Sequence, residues 1–382
     1  MIDFPTSLIQ PTTFRWLRTG GDGLAAIAAA IGNARESVRL ETYTFASGPP
    51  AERICRALVA ARQRGVRVRV LVDALGSRDL PAACLAPVAA TGGEFRRFNP
   101  LALERLSYRD HRKVLVCDGR VAIIGGFNIA SEYDGDGVSH GWRDLGLEIT
   151  GDLAGDLAAA FDRMFARADF KHPRFQHFRR AVLDPHTRQN NWRLLLSGPG
   201  RRPSEIRRSL NRDVAAARSV QIVAAYFLPP WPLRRRLLRV ARRGGRVQLI
   251  LAGRSDVALS QLAGRRLYQR FLRAGAEIYE YQPQVLHAKL SIVDDAVYVG
   301  SSNLDMRSLQ INYELLVRVA DPQLVDGARE LFAGMLAVSR RIDPRTWAEA
   351  RTLWDRLRER WAYWLLARLD PLIARWQWKR LR

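Results

Sequence analysis

Two stretches of the chain carry the same residue types at the same spacing. Each has a histidine, a lysine two residues later and an aspartate five residues after the lysine, followed by an apolar run and a small-residue turn that ends in asparagine. The first copy comprises His111, Lys113, Asp118 and Asn128, and the second comprises His287, Lys289, Asp294 and Asn303.

Histidine and lysine at this spacing suit chemistry on a phosphate diester. On a strand, residues i and i+2 point to the same face, so the two side chains of each copy project together. The lysine can stabilise negative charge on the non-bridging oxygens. One histidine can attack phosphorus, while a second, protonated histidine gives its proton to the leaving alkoxide. Because this needs two histidines in opposite protonation states, we predict that both copies fold against each other into one active site.

The other members of each copy are an asparagine and an aspartate. Asn128 and Asn303 follow Gly-rich turns and can donate hydrogen bonds to the same phosphate oxygens. Asp118 and Asp294 each close a strand at a turn, so a structural role is at least as well supported as a catalytic one.

Two further acids are candidates for orienting the histidines. Asp144 and Glu314 each precede a later apolar strand, one in each half of the chain. A carboxylate that accepts a hydrogen bond from one ring nitrogen fixes the tautomer and the direction of a histidine. We predict this role for both acids from their positions.

The composition makes the two lysines informative. The chain has 382 residues and a net charge of +23, yet only four of its 61 basic residues are lysine. In a chain that uses arginine almost everywhere, Lys113 and Lys289 keep a compact ammonium at equivalent positions, and the two side chains differ in shape and reach at a phosphate. The overall charge favours an anionic partner, either nucleic acid or a membrane surface.

The cysteines and histidines outside the repeats suggest no further site. Three cysteines without a CxxC pair predict neither a disulfide framework nor a structural metal, and they favour a reducing compartment. A polar segment at about 169–191, which we interpret as a linker, contains His172, His177 and His186. Their irregular spacing, with no matching carboxylates, argues against a metal site.

Strand and helix patterns alternate along the chain and then repeat in the same order. We predict an α/β fold of two tandem domains with largely parallel sheets, related by a pseudo-two-fold axis, with the active site at their interface. The expected boundaries are 1–190, 191–340 and, for a helical tail, 341–382. The predicted strands are 38–45, 66–73, 94–98, 111–118, 121–124 and 145–150 in the first half, and 219–223, 247–251, 276–281 and the second motif strand in the other half.

The tail is rich in tryptophan and arginine. Six of the ten tryptophans lie after residue 340, and the spacing of Trp354, Trp361 and Trp364 predicts an amphipathic helix that Pro371 should break or kink. Trp and Arg together suit a bilayer interface. The alternative is a helix docked on the core with its aromatic side chains inside. No signal peptide or membrane-spanning run is apparent, so we expect any membrane contact to be peripheral.

These motifs resemble the phospholipase D superfamily, and bacterial cardiolipin synthases in particular. The resemblance rests on both His-x-Lys stretches, on Gly300–Ser308 (GSSNLDMRS) and on Asn312-Tyr313-Glu314. It implies two phospholipase D-like domains and a ping-pong reaction through a phosphatidyl-histidine, without metal or cofactor. By family habit it assigns His111 as nucleophile and His287 as general acid, then base. The chain departs from the family at the second hairpin, which is one residue shorter than the first and should be tighter.

The resemblance implies a phosphatidyltransferase that makes cardiolipin from phosphatidylglycerol and a second phospholipid alcohol. The expected partners are anionic phospholipids, phosphatidylglycerol and cardiolipin, at the cytoplasmic face of a bacterial inner membrane. Within enzymes, a phospholipase D-type hydrolase and a nuclease or other phosphodiesterase remain alternatives, although no DNA-binding motif supports the latter. A lipid-binding scaffold without turnover is the non-enzyme alternative, and the oligomeric state stays open.

Overall fold

A computed structural model describes residues 11–80, 82–100, 106–169, 191–200 and 203–380. It contains two β-sheets, each built from one half of the chain, and a helical tail. The linker histidines His172, His177 and His186 lie outside the described residues.

The first sheet has seven strands in the order β1-β7-β6-β5-β2-β3-β4. Its central strands are apolar on both faces, as expected for a sheet covered by helices on both sides. The strands are β1 (Thr13–Leu17), β2 (Ser37–Thr42), β3 (Arg67–Asp73), β4 (Glu94–Phe98), β5 (Val114–Cys117), β6 (Val121–Gly125) and β7 (Gly146–Thr150).

The second sheet has eight strands in the order β15-β11-β10-β9-β12-β13-β14-β8. Without the edge strand β15 and read from the other end, the order is β8-β14-β13-β12-β9-β10-β11, which corresponds strand for strand to the first sheet. The two domains therefore share one topology, as the repeat predicts. The strands are β8 (Trp192–Ser197), β9 (Ser219–Ala224), β10 (Arg246–Ala252), β11 (Glu277–Tyr281), β12 (Lys289–Val293), β13 (Ala296–Gly300), β14 (Glu314–Val319) and β15 (Ser339–Arg341).

Both sheets are mixed, and the expectation of largely parallel sheets is wrong. Only β2, β3 and β4 run parallel in the first sheet, and only β9, β10 and β11 in the second. The other pairings are antiparallel, because β5 and β6 form a tight hairpin, as do β12 and β13. A hairpin reverses the chain without the long crossover that a parallel pair requires.

The helices form outer layers and a shared central layer. One apolar cluster packs α1–α3 on the first sheet, and a second packs α5–α7 on the second sheet. A third cluster joins the inner faces of both sheets through α4 and α9, so the domains share a core. These helices are α1 (Gly20–Asn33), α2 (Pro49–Gln63), α3 (Ala82–Ala90), α4 (Asp152–Phe165), α5 (Glu205–Ala216), α6 (Trp231–Arg242), α7 (Ala258–Leu272), α8 (Met306–Gln310) and α9 (Pro322–Ala337).

The expectation of no disulfide is wrong for one pair of cysteines. Cys55 on α2 and Cys84 on α3 form a disulfide with a Cα–Cα separation of 6.3 Å. They are 29 residues apart in the sequence and meet only because α2 and α3 pack side by side. Since disulfides persist in oxidising compartments, the cysteines no longer favour a reducing one.

The tail is helical to residue 380. It packs on the core and also exposes aromatic side chains, so it combines the two predicted alternatives of a docked helix and an interfacial helix. It comprises α10 (Pro344–Glu349), α11 (Leu353–Trp364), a π-helical turn (Leu365–Leu369) and α12 (Asp370–Arg380). The helical path continues through Pro371, with a wider π turn directly before it. Ala362 and Ala374 face the core, while most of the tryptophans face outward. Within the described part of the chain, no helix is both long and apolar enough to cross a membrane.

Candidate active site

Each motif histidine lies just before a strand and pairs with the other domain. β5 begins at Val114 and β12 at Lys289, so the prediction that both histidines lie within a sheet strand is wrong. The backbone N–H of His111 donates to the carbonyl of Tyr313 at 3.0 Å, and that of His287 donates to the carbonyl of Arg143 at 2.8 Å. These short bridges between the domains take the place of pairing within either sheet.

Each motif histidine also contacts a carboxylate of the other domain. Nδ1 of His111 lies 3.0 Å from Oε1 of Glu314, and Nδ1 of His287 lies 2.7 Å from Oδ2 of Asp144. Both carboxylates are fully buried. Each histidine therefore receives its acidic neighbour from the opposite half of the chain, and that contact directs Nε2 of each ring away from the carboxylate.

The two motif lysines are buried beside their histidines. Nζ of Lys113 donates to the carbonyl of His111 at 2.8 Å, and Nζ of Lys289 lies 2.8 Å from Nδ1 and 3.1 Å from Nε2 of His287. Neither lysine forms an ion pair with a carboxylate among the residues that the structure describes. Burial disfavours both ammonium groups, while Asp144 and Glu314 favour them from beyond contact distance. An anion in contact with the lysines would supply the close partner that they lack.

The pKa values indicate that both copies contribute to a single site. Burial lowers the pKa of His111 well below its ordinary value, and the charges of Lys113, Lys289 and His287 lower it further. Burial and then Lys289 lower the pKa of His287, against an opposing effect of Asp144. Burial also lowers the pKa of Lys113 to about 7. Basic groups from both domains thus lie close enough to repel one another, and a bound phosphate would relieve that repulsion.

Aromatic rings that the sequence analysis missed lie against both histidines. Tyr43 lies against His111 with 5.0 Å between ring centroids, while Tyr133 and Trp142 lie 5.2 and 5.7 Å from His287. Tyr133 and Trp142 come from the loop between the first motif asparagine and the first orienting acid, and that position could have suggested them. Nothing in the sequence around Tyr43 points to this contact.

The motif aspartates bind backbone at the far end of the motif strands. Asp118 accepts hydrogen bonds from the N–H groups of Arg35, Glu36 and Ser37 at 2.8–3.0 Å, and Asp294 accepts two from Arg218 and Ser219. Burial alone would raise the pKa of Asp118, but these hydrogen bonds outweigh it and hold the pKa below its ordinary value. The contacts favour the structural role over the catalytic one.

The two motif asparagines are not equivalent. Asn128 accepts from the backbone N–H of Thr44 at 3.1 Å and donates to the hydroxyl of Tyr133 at 2.8 Å. The side-chain oxygen of Asn303 is buried and has no such partner in the described part of the chain. Because an amide oxygen only accepts hydrogen bonds, this oxygen does not suit a phosphate oxygen, and phosphate binding by either asparagine stays a prediction.

The shorter second hairpin is tighter, as the sequence predicts. In the first hairpin, Cys117 is opposite Val121 across a three-residue turn, whereas Val293 is opposite Ala296 across a two-residue turn. The residue after each asparagine nevertheless forms an equivalent parallel bridge, Ile129 with Phe45 and Leu304 with Phe227. The difference between them is therefore one of side-chain contacts, while their backbone positions correspond.

Comparison with known proteins gives consistent matches. A family model described as "Cardiolipin synthase, PLD-like domain" matches residues 27–165 and 212–336, which contain the two motif copies. Cardiolipin synthase 1 of Bacillus cereus is 31% identical over 318 residues, covering 80% of this chain and 62% of that protein. Cardiolipin synthase B of Escherichia coli K12 is 29% identical over 368 residues, covering 94% of this chain and 88% of that protein. The chain thus spans just under two thirds of the Bacillus relative.

Solved structures share the fold at low sequence identity. The phosphatidylserine synthase of Haemophilus influenzae Rd KW20 superposes with a TM-score of 0.71 over 94% of both chains, at 15% identity. The polyphosphate kinase of Porphyromonas gingivalis superposes with a TM-score of 0.59 over 87% of this chain and 49% of that one, at 16% identity. Both likenesses concern the fold alone.

Proposed function

Because the chain belongs to the family of cardiolipin synthases with phospholipase D-like domains, we propose that it is a phosphatidyltransferase. In this proposal it makes cardiolipin from phosphatidylglycerol and a second phospholipid alcohol. The observation that carries the proposal is the crossed pair of histidines, each with Nδ1 against a buried carboxylate of the other domain. Two such histidines and two unpaired ammonium groups around one site suit the transfer of a phosphodiester group.

In the first half-reaction, phosphatidylglycerol donates its phosphatidyl group to the protein. Nε2 of His111 attacks phosphorus, the phosphorus–oxygen bond to the glycerol headgroup breaks, and His287 protonates the departing glycerol oxygen. Lys113 and Lys289 stabilise the negative charge on the non-bridging oxygens during the displacement. The product of this step is a phosphatidyl-histidine.

In the second half-reaction, a lipid alcohol takes the place of glycerol. The neutral His287 accepts the proton of the incoming hydroxyl, whose oxygen attacks phosphorus while the bond to Nε2 of His111 breaks. The proposed acceptor is another phosphatidylglycerol, which makes the product cardiolipin. Water as the acceptor would give phosphatidic acid, so the site must favour a lipid hydroxyl.

The electrostatics support this assignment of roles. Asp144 opposes the lowering of the pKa of His287 and so stabilises its imidazolium, which suits an acid. His111 has its pKa lowered well below the ordinary value and receives no comparable support from its own acid, which suits a neutral nucleophile. Burial raises the pKa of Glu314 to about 7, so this acid carries less negative charge near neutral pH.

We also propose that the tail holds the protein on a membrane. Its outward face exposes large apolar side chains, of which the least exposed, Ile373, is still 43% exposed. An exposed apolar surface of this kind indicates an interaction site, and exposed arginines border it on α11, which suits anionic lipid. The exposed apolar side chains are Leu353, Trp354, Leu357, Trp361, Trp364, Leu372, Ile373 and Trp376.

The proposed location is the cytoplasmic face of the bacterial inner membrane. Protease added to spheroplasts should leave the protein intact, while protease added to inverted membrane vesicles should cleave it. Trapping of thiols in freshly lysed cells gives a second measurement. The Cys55–Cys84 disulfide of the structure counts against this location, because the cytoplasm keeps such pairs reduced, and an oxidised pair in those lysates would refute it.

The decisive experiment is product analysis by mass spectrometry. Purified protein with phosphatidylglycerol vesicles should release glycerol and form cardiolipin, and His111→Ala and His287→Ala should each abolish both products. Phosphatidic acid as the main product would identify a phospholipase D-type hydrolase instead. Binding of vesicles without any turnover would indicate a scaffold, and cleavage of DNA at physiological salt would indicate a nuclease.

A further inference from the structure

A cavity of about 170 Å³ opens on the surface of the second domain, between α6 and α7. Its volume corresponds to several water molecules, at about 30 Å³ each in the liquid. It shares no residue with the active site described above. One face of α6 contributes Trp231, Arg234, Arg235, Leu238 and Arg242, and α7 contributes Arg270.

The charge of this cavity is positive and uncompensated. Four of the six lining residues are arginine, and neither α6 nor α7 contains an acidic residue. Over the described ranges of the chain, none of these four arginines forms an ion pair with a carboxylate. A concave surface lined by one sign of charge concentrates counter-ions, which here are anions.

Arg234 is the most informative of the four. It is only 8% exposed, its Nη1 donates to the hydroxyl of Tyr363 at 2.7 Å, and its guanidinium lies 5.9 Å from the centre of that ring. A buried guanidinium normally faces a carboxylate or phosphate, because removing its charge from water is costly. An anion in the cavity would supply the missing partner in a bidentate geometry that arginine favours.

The surroundings favour a membrane phospholipid as the source of that anion. Trp231 is 58% exposed, and the guanidinium of Arg235 lies 5.2 Å from the centre of its ring. Tryptophan beside arginine is typical of side chains at headgroup depth. Tyr363, the partner of Arg234, is on α11, whose opposite face exposes the apolar side chains of the tail.

We propose that the cavity between α6 and α7 binds the phosphate headgroup of an anionic phospholipid at the membrane surface, as a second lipid site apart from the catalytic one. The choice of lipid rests on the proposed function, whereas the preference for an anion rests on the arginines alone.

Vesicle flotation tests this proposal without any turnover. The double variant Arg242→Gln/Arg270→Gln removes two exposed charges of the cavity, and the matched control Arg67→Gln/Arg193→Gln removes two exposed charges elsewhere. With vesicles of phosphatidylcholine and phosphatidylglycerol, the cavity variant should bind about 30-fold more weakly than the unaltered protein. This factor follows from the binding free energy of about 1 kcal/mol that each arginine contributes at an anionic surface. The control variant should bind much as the unaltered protein does.

Four outcomes would overturn the proposal. Equal loss in both variants would indicate unspecific attraction to the surface, and unchanged binding of the cavity variant would exclude a headgroup there. Release from the vesicles when inorganic phosphate replaces chloride at constant ionic strength would identify free phosphate as the ligand. Arginine-dependent release by a DNA duplex at physiological salt would identify nucleic acid.

Turnover is measured separately, so that the two proposals fail in different ways. Both double variants should turn over a monomeric short-chain phosphatidylglycerol at the rate of the unaltered protein, because none of the four arginines lies in the active site. If the protein makes no cardiolipin but loses vesicle binding with the cavity variant alone, the proposed function fails and the headgroup site stands.

Discussion

Replacing Asp144 by asparagine separates the proposed roles of the two histidines. Oδ2 of Asp144 faces Nδ1 of His287 at 2.7 Å, while Oδ1 accepts the backbone N–H of Leu145 at 2.8 Å. Asparagine has nearly the same shape and can keep the second contact. Its amide cannot provide the negative charge of the first contact, so the imidazolium of His287 loses its carboxylate.

The expected loss follows from that single contact. A hydrogen bond to a charged group contributes about 1.5–3 kcal/mol. At about 1.4 kcal/mol for each factor of ten, kcat should fall about 10- to 150-fold. Burial and Lys289 already lower the pKa of His287, so the variant should hold a proton on that ring even less well. The KM for phosphatidylglycerol should change little, because Asp144 does not face the lipid.

The assay compares two donors that differ in their leaving group. Phosphatidylglycerol needs a proton on its departing oxygen, whereas the p-nitrophenyl ester of phosphatidic acid releases a stable phenolate without one. In rapid mixing, Asp144→Asn should keep the initial burst of p-nitrophenol while turnover of phosphatidylglycerol falls. Glu314→Gln is the matched control: it alters the carboxylate against His111 and should slow the burst with both donors.

Two results would refute the reasoning. Equal loss with both donors in Asp144→Asn would mean that His287 is not the acid of the first step. Unchanged turnover of both donors would mean that the carboxylate does not support the ring at all.

Three further predictions concern pH, stability and membrane binding. The ammonium of Lys113 (pKa about 7) is present below that pH and lost above it, so its contribution to kcat/KM should disappear as pH rises through about 7. In a pH profile, Lys113→Arg should lack this step near pH 7, since arginine stays protonated, and should keep only the fall at lower pH where His287, whose pKa is lowered, loses its proton. A step near pH 7 that persists in Lys113→Arg would contradict the assignment. Asp118→Asn should lower the free energy of unfolding in urea by about 1 kcal/mol at neutral pH, with kcat retained. Because the pKa of Asp118 is held low, the difference in unfolding free energy between the variant and the unaltered protein should shrink as pH falls through that pKa. A difference that persists in acid would contradict the account. Trp361→Ser and Trp364→Ser should each weaken vesicle flotation about tenfold without shifting the unfolding midpoint, because both side chains are more than half exposed; unchanged flotation would exclude the tail face as the membrane contact.

Local patterns in the sequence predicted many of the strands and helices. Alternation and helical spacing located β4 and β6 within a residue and most other elements of the repeat within a few. β4 alternates between exposed and partly or fully buried positions, and β6 is a short apolar run bounded by turn residues. The prediction of elements and their bounds failed where the contacts of a segment are with residues distant in the sequence. β8, α5 and α9 were not predicted, and β5 and β12 begin after their motif histidines, because those histidines pair with the other domain.

By itself the sequence determined the chemistry available to this protein. A doubled His-x-Lys motif, two lysines in a chain of arginines and a Trp/Arg tail each follow from residue type and spacing, and these are local properties. Only the tertiary structure decided the pairing: Glu314 faces His111, and Asp144 faces His287. It also decided that the motif aspartates bind backbone and that Trp354, Trp361, Trp364 and Trp376 of the tail face outward. These outcomes depend on how two halves about 180 residues apart dock, and spacing along the chain carries no information about such contacts.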